Sequence, residues 1–258
     1  MLVLAAALGL AIGLVVGSVG GGGAILALPV VVYVLGEPVG PAATTSLIVV
    51  AIAAAVGVGS LAVRGQICWR LAASFAGPAA LGALLGTAAA TAVGARLLVL
   101  LFVPVMLIAS FGTWQRAGWR PGAAERDCPR PPVAHVLLAG FGVGLLTGFF
   151  GVGGGFMIVP VLTLWFGVGF RRAVGISLVI ITFTGVVALA SHLVAGSGID
   201  VGVTAALAVP TALGAFIGAR LSARLPAAVL GRAFAVVVCA VALFLLVDVL
   251  VLGGPPAA

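Results

Sequence analysis

The stretch Gly13–Val30, GLVVGSVGGGGAILALPV, is apolar apart from its own interruption, four consecutive glycines from Gly20 to Gly23. It recurs. A shift of 131 residues lays it on GLLTGFFGVGGGFMIVPV from Gly144, so that Gly13, Gly17, Gly20, Gly22 and Gly23 fall on Gly144, Gly148, Gly151, Gly153 and Gly154, and Pro29 on Pro160. The same shift pairs TSLIV from Thr45 with ISLVI from Ile176, setting Ser46 on Ser177. After a one-residue slip, GPAALGALLG from Gly77 matches VPTALGAFIG from Val209, pairing Pro78 with Pro210, Gly82 with Gly214 and Gly86 with Gly218. The chain is a duplication, and its fold must be one that two copies of a single unit can build together.

Each copy holds one glycine-interrupted apolar segment and three plain ones: 2–36, 42–63, 71–94 and 97–113, then 134–168, 173–195, 201–219 and 227–252. Runs of about 18 or more apolar residues are long enough to cross ~30 Å of hydrocarbon as helices. Only 7% of the residues are charged, against roughly a quarter in a soluble domain, so the chain cannot clothe itself in polar surface. The fold class is an all-α polytopic membrane protein of two homologous four-segment halves. A net charge of +7 suggests nucleic acid in a soluble protein, but here the charges sit in short loops and read as topology signals. The first charged residue is Glu37, so the start lacks the basic region of a signal peptide and a retained N-terminus is expected.

Trp114–Pro132 is the one long polar stretch, with Arg116, Arg120, Arg126 and Arg130 beside Glu125 and Asp127, and its prolines argue for a loop. The organisation is therefore residues 1–113 as a first membrane repeat, 114–132 as a polar linker and 133–258 as a second membrane repeat. Cys68, Cys128 and Cys239 are odd in number and widely spaced, so free thiols are expected, without a disulfide framework or a zinc site.

The arginines bear on topology. If every segment crossed once, they would divide six against six across the membrane. If each glycine-interrupted segment instead enters, breaks and returns to the side it came from, the second half is inverted and every arginine but Arg96 lies on one face, eleven to one. Basic residues favour the cytoplasmic side, which puts the linker in the cytoplasm and Glu37, Asp200 and both termini outside. Length agrees: about 35 residues would make a helix of ~52 Å, too long for one crossing and short for two. Irregular backbone at membrane depth survives only inside protein or along a polar cavity, so the two breaks should face the interior and meet near the axis relating the halves.

A helix that restarts at about Ala24 exposes amides without intrahelical partners and carries a partial positive charge at its start. Glycine permits close approach and positive φ, so the amides of Gly20, Gly21, Gly22 and Gly23 are suited to receive an anion, and Gly151, Gly153, Gly154 and Gly155 supply the same device from the opposite side. Matched discontinuous helices in inverted repeats point to a transporter's central site. By contrast Gly13 and Gly17, Gly82 and Gly86, and their repeat equivalents fit the small-xxx-small pattern of close helix packing.

Hydroxyls are the next candidates. Thr44, Thr45 and Ser46, and Ser177, Thr182 and Thr184, could each donate to an anion, although a membrane-helix hydroxyl more often bonds back to its own helix. The Ser46 and Ser177 pair carries more weight because the repeat sets both beside the glycine loops. His192, next to Ser191, reads as interfacial and leaves a coupling proton open. Asp248 and Arg232 stand sixteen residues apart, ~24 Å along a helix, and are expected near the interfaces. The chain shows no HExxH, no GxSxG and no lysine for a Walker-type loop, so neither an enzyme nor a cofactor is expected.

The paired loops GSVGGGG and GFFGVGGG, each followed by a short apolar run to proline and then TSL or ISL, resemble the sulfite exporter TauE/SafE family over about residues 5–250. The resemblance implies a bacterial inner-membrane permease for small sulfur-containing or organic anions such as sulfite, sulfonates or sulfoacetate. It also implies that both glycine loops, with Ser46 and Ser177, lie in or near the translocation path. The first loop departs from the pattern, with Gly21 where its partner has Val152 and Ala24 where its partner has Gly155. A secondary transporter working by alternating access is the leading expectation. A gated anion channel with a double re-entrant filter is the alternative.

Overall fold

The computed structural model describes residues 2–34, 39–90, 93, 95–117, 128–129, 131–150, 155–194 and 201–249. Among them the first copy comprises α1 (Leu2–Val19), a 3-10 turn (Gly21–Gly23), α2 (Ala24–Pro29) running on as a π turn (Val30–Val34), α3 (Val39–Ala62), α4 (Trp69–Ala90) and α5 (Ala95–Ala117). The second comprises α6 (Val133–Phe150), α7 (Gly155–Leu164), α8 (Phe170–Val194), α9 (Val201–Ser222) and α10 (Ala227–Val247). Away from water every backbone amide must be satisfied within its own segment, which makes these apolar runs helical despite Pro78, Pro104, Pro160 and Pro210 inside them. Seven of the described helices are long and apolar enough to cross a membrane, and α1 and α7 are shorter apolar helices.

The halves exchange their first helices. The most extensive packing is α4 on α6 and α1 on α9. A side chain at Gly13 would collide with the backbone of Thr211 and one at Gly17 with Ala215, while Gly214 and Gly218 abut the backbone of Leu10 and Leu14. The other interface repeats this: Gly144 lies on Ala79, Gly148 on Ala83, Gly82 on Phe141 and Gly86 on Leu145. All eight glycines thus serve backbone-to-backbone packing, which maximises dispersion where lipid supplies no hydrophobic drive.

Equivalent helices of the two halves meet head to tail. On α3 and α8, Gly57 faces Leu178 while Gly185 faces Ala51. On α5 and α10, the Ser110 hydroxyl donates to the Ala235 carbonyl at 2.8 Å and Gly231 faces Ala117. Both pairs therefore run antiparallel. Each broken unit also ends near where it begins: Ala5 and Val31 share a buried cluster with Val49, Leu207 and Ala208. In the second copy His135 and Trp165 line one cavity of about 380 Å³ with Pro129, Pro131, Pro132 and Phe166.

Eight of the described arginines gather at one end. Arg116 donates to the Thr163 carbonyl at 3.1 Å, Arg171 to the Leu225 carbonyl, and the Arg232 guanidinium lies 5.8 Å from the Trp114 ring. Gln66, in the turn after α3, touches Gly175 at the start of α8. These contacts join the ends that carry Arg64, Arg70, Arg116, Arg171, Arg172, Arg220, Arg224 and Arg232. Asp248, buried at the far end of α10, stands apart from them.

Two expectations are corrected. Cys68 and Cys128 form a disulfide, with Cα atoms 5.7 Å apart, and Cys239 alone is a free thiol. Their sequence separation of 60 hid a neighbourhood made by the fold, in which the turn before α4 meets the linker as it approaches α6. The linker also begins later than expected, because α5 continues through Trp114, Gln115, Arg116 and Ala117. Arg116 has a carbonyl to bond there and Trp114 a cation above its ring, so the polar residues extend the helix.

Two substitutions on one helix test the glycine packing. Gly144 meets the Ala79 backbone, whereas a side chain at Gly142 would meet nothing within 4 Å. Gly144→Leu is expected to abolish monodisperse, folded protein in detergent, and Gly142→Leu to elute and melt like the wild type in size-exclusion and thermal-unfolding measurements.

Candidate functional site

Helix α1 breaks at one residue. Gly20 has φ 80° and ψ −138°, a conformation that strains any L side chain. Its amide still bonds the Val16 carbonyl at 2.8 Å, and beyond it Gly23 N–H bonds the Gly20 carbonyl at 3.3 Å and Ala24 N–H the Gly21 carbonyl. The chain restarts as a helix at Ala24, as its sequence suggests. The amides of Gly21 and Gly22 precede the first hydrogen bond of the 3-10 turn, the position from which helix starts reach for acceptors.

This break meets the other copy directly. A side chain at Gly21 would overlap the backbone of Gly155, the first residue of α7, and one at Gly155 would overlap Gly21 and the end of Ile181. Two chains pass there at a separation that only a pair of glycines permits. Gly20 lies against Ser177, whose Oγ would be 2.7 Å from a Cβ at that position. Ser177 is fully buried, and its hydroxyl donates to the Val174 carbonyl at 2.8 Å, a bond it must exchange to serve an anion. So the loop of the first half is faced by the serine of the second.

Other candidates are placed differently. The Thr45 hydroxyl lies 3.4 Å from that of Thr204, both buried, so its partner is α9. Ser46 is buried one residue on. Thr182 and Thr184 bond back to the carbonyls of Leu178 and Ile180 at 2.8 and 2.9 Å, the ordinary use of a membrane-helix hydroxyl. Gly151, Gly153 and Gly154 lie outside the described residues, as do the side chains of Thr44, Ser191 and His192. Among the described residues no three of His, Cys, Asp and Glu are grouped to hold a metal ion.

The walls beside the break are apolar, with Val16, Ile25, Phe156 and Ile181 all buried. In such a low-dielectric setting a backbone dipole acts on a charge far more strongly than in water. Sequence reasoning missed the Thr204 partner of Thr45 and the contact of Gly20 with the serine of the opposite half. The matching registers of Gly20 with Gly151 and Ser46 with Ser177 were the signal available for that contact.

Replacing Gly20 by alanine is expected to lower stability by about 1–3 kcal/mol, the range for a strained backbone residue. Adding Ser177→Ala should recover part of that loss, because the serine oxygen is what the new methyl meets. Thermal unfolding of the single and double variants in detergent measures both.

Comparison with known proteins finds the family model described as sulfite exporter TauE/SafE matching residues 5–245. A "Probable membrane transporter protein" of Xylella fastidiosa strain Temecula1 is 31% identical over 183 residues, 68% of each chain. Its counterpart in strain 9a5c is 30% identical over the same length. A probable membrane transporter protein of Methanocaldococcus jannaschii is 37% identical over 62 residues, 22% of this chain and 23% of that one. No solved structure matches.

Proposed function

Since the chain belongs to the sulfite exporter TauE/SafE family and is a multi-pass membrane transporter, we propose that it is a secondary permease for small sulfur-containing or organic oxyanions, sulfite and sulfonates foremost. The observation that carries this reading is the contact of Gly21 with Gly155, with Ser177 against Gly20. Two helix starts converge from the two halves on one buried point, and their amides, with the Ser46 and Ser177 hydroxyls, receive the anion. The second loop, Gly151, Gly153, Gly154 and Gly155, completes the site as the repeat equivalent of the first.

Residues 1–113 and 133–258 act as inverted repeats that rock about this site, so that it opens to one side and then the other. The antiparallel pairing of α3 with α8 and of α5 with α10 supports inversion. The arginine-rich end is the cytoplasmic face of a bacterial inner membrane by the positive-inside rule, which places the linker in the cytoplasm. Disulfides are rare in that compartment. Cys68 and Cys128 are therefore expected as a dithiol in growing cells and as the disulfide after oxidation, a difference read by alkylation trapping of intact cells.

Reconstituted protein tests the activity. Proteoliposomes with an imposed anion gradient should accumulate labelled sulfite or a short sulfonate against its own concentration, and Gly22→Leu with Gly153→Leu should abolish uptake while the protein still inserts. Full uptake by that double variant would remove the loops from the path. High unitary current without uphill movement would make the protein a channel.

A further inference from the structure

The disulfide crosses between the halves. Cys68 ends the turn after α3, in the first half, and Cys128 stands five residues before Val133, where α6 opens the second. Their Cα atoms lie 5.7 Å apart. The two sulfurs are unequally placed. Cys68 is buried in the main core with 3% of its surface exposed, whereas Cys128 is exposed. A small thiol or disulfide in solution therefore reaches the pair at Cys128, and Cys68 is left as the internal partner.

Both ends of the bond abut the walls of the break. Gln66 and Ile67, just before Cys68, lie on α8: a Cβ on Gly175 would meet the Gln66 carbonyl oxygen at 3.0 Å and the Ile67 Cγ1 at 3.3 Å. The neighbouring Val174 would have its Cγ1 3.3 Å from a Cβ on Gly20. On the other side Pro129, next to Cys128, lines the cavity of about 380 Å³ with Trp165 and Phe166, which follow the end of α7. That helix begins at Gly155, against Gly21. The bond thus joins the first-half turn that braces α8 to the segment that reaches the far end of α7. These two helices are the second half's side of the break.

We propose that Cys68 and Cys128 are a thiol–disulfide switch on transport: closing the bond ties the halves together at their arginine-rich end and arrests their rocking, and opening it releases them. The proposal rests on the permease reading above, in which the halves must move against each other. The oxidant is a small-molecule disulfide. The Cys128 thiolate attacks one of its sulfurs and expels a thiol, and Cys68 then attacks the Cys128 Sγ and expels the second. Two protein thiols and one small disulfide give one protein disulfide and two small thiols. An excess of small thiol runs the exchange backwards, entering again at Cys128.

The test is uptake of labelled ethanesulfonate or acetate by full-length protein in proteoliposomes, because sulfite itself cleaves disulfides. Cys239→Ser removes the remaining thiol and keeps the pair. Treatment with oxidised glutathione before reconstitution should lower its uptake about fivefold or more, and dithiothreitol should restore it, with alkylation and mass measurement following the state of the pair. Adding Cys128→Ser, at an exposed position, should hold uptake at the level of the reduced pair under both reagents. Equal uptake with the pair closed and open would overturn the switch, as would failure of the pair to close or a redox response that survives Cys128→Ser. Where sulfite is the only anion moved, dibromobimane bridges the two thiols in place of the disulfide, and unchanged uptake after bridging overturns the switch in the same way. If the reduced protein moves none of the three anions, the permease reading itself fails, whereas a permease blind to the state of the pair keeps that reading and removes the switch alone.

Discussion

The structure depends on one constraint: a helix broken inside hydrocarbon leaves amides that lipid cannot satisfy. The break at Gly20–Gly23 is tolerable only because protein surrounds it, and the surrounding is achieved by apposing two glycines, Gly21 and Gly155, from opposite halves. That contact needs both broken units drawn to the centre at close range. The exchanged pairs, α1 on α9 and α6 on α4, hold them there through glycine faces in matching registers. Loosening one of these seams by a side chain would move a break away from its counterpart.

Such a centre is polar without being charged. In the proposed site, amides at helix starts and a few hydroxyls carry the attraction for an anion, and the nearest arginine along α8 is Arg172, two residues before the Val174 that lies against Gly20.

The disulfide and the arginine cluster describe the same end of the protein from different chemistry. Cys68 belongs to the turn between α3 and α4 that touches the start of α8 through Gln66 and Ile67, two residues before Ser177. A covalent tie from that turn to Cys128 thus lies beside the start of α8, the helix that carries the residue facing the first glycine loop.

Much of this was legible in the chain itself. Hydropathy gave the membrane class and the segments, and self-alignment exposed the duplication. The GxxxG pairs announced helix packing, and the glycine run located the break with the restart at Ala24. These are properties of single residues and short spacings: transfer free energy, the missing Cβ and the missing amide partner all act locally. Tertiary structure decided what lies opposite what. Gly20 against Ser177, Gly21 on Gly155, Thr45 with Thr204 and Cys68 with Cys128 all arise where segments far apart in sequence are pressed together. A sequence records which groups are available, and only packing determines which of them find partners.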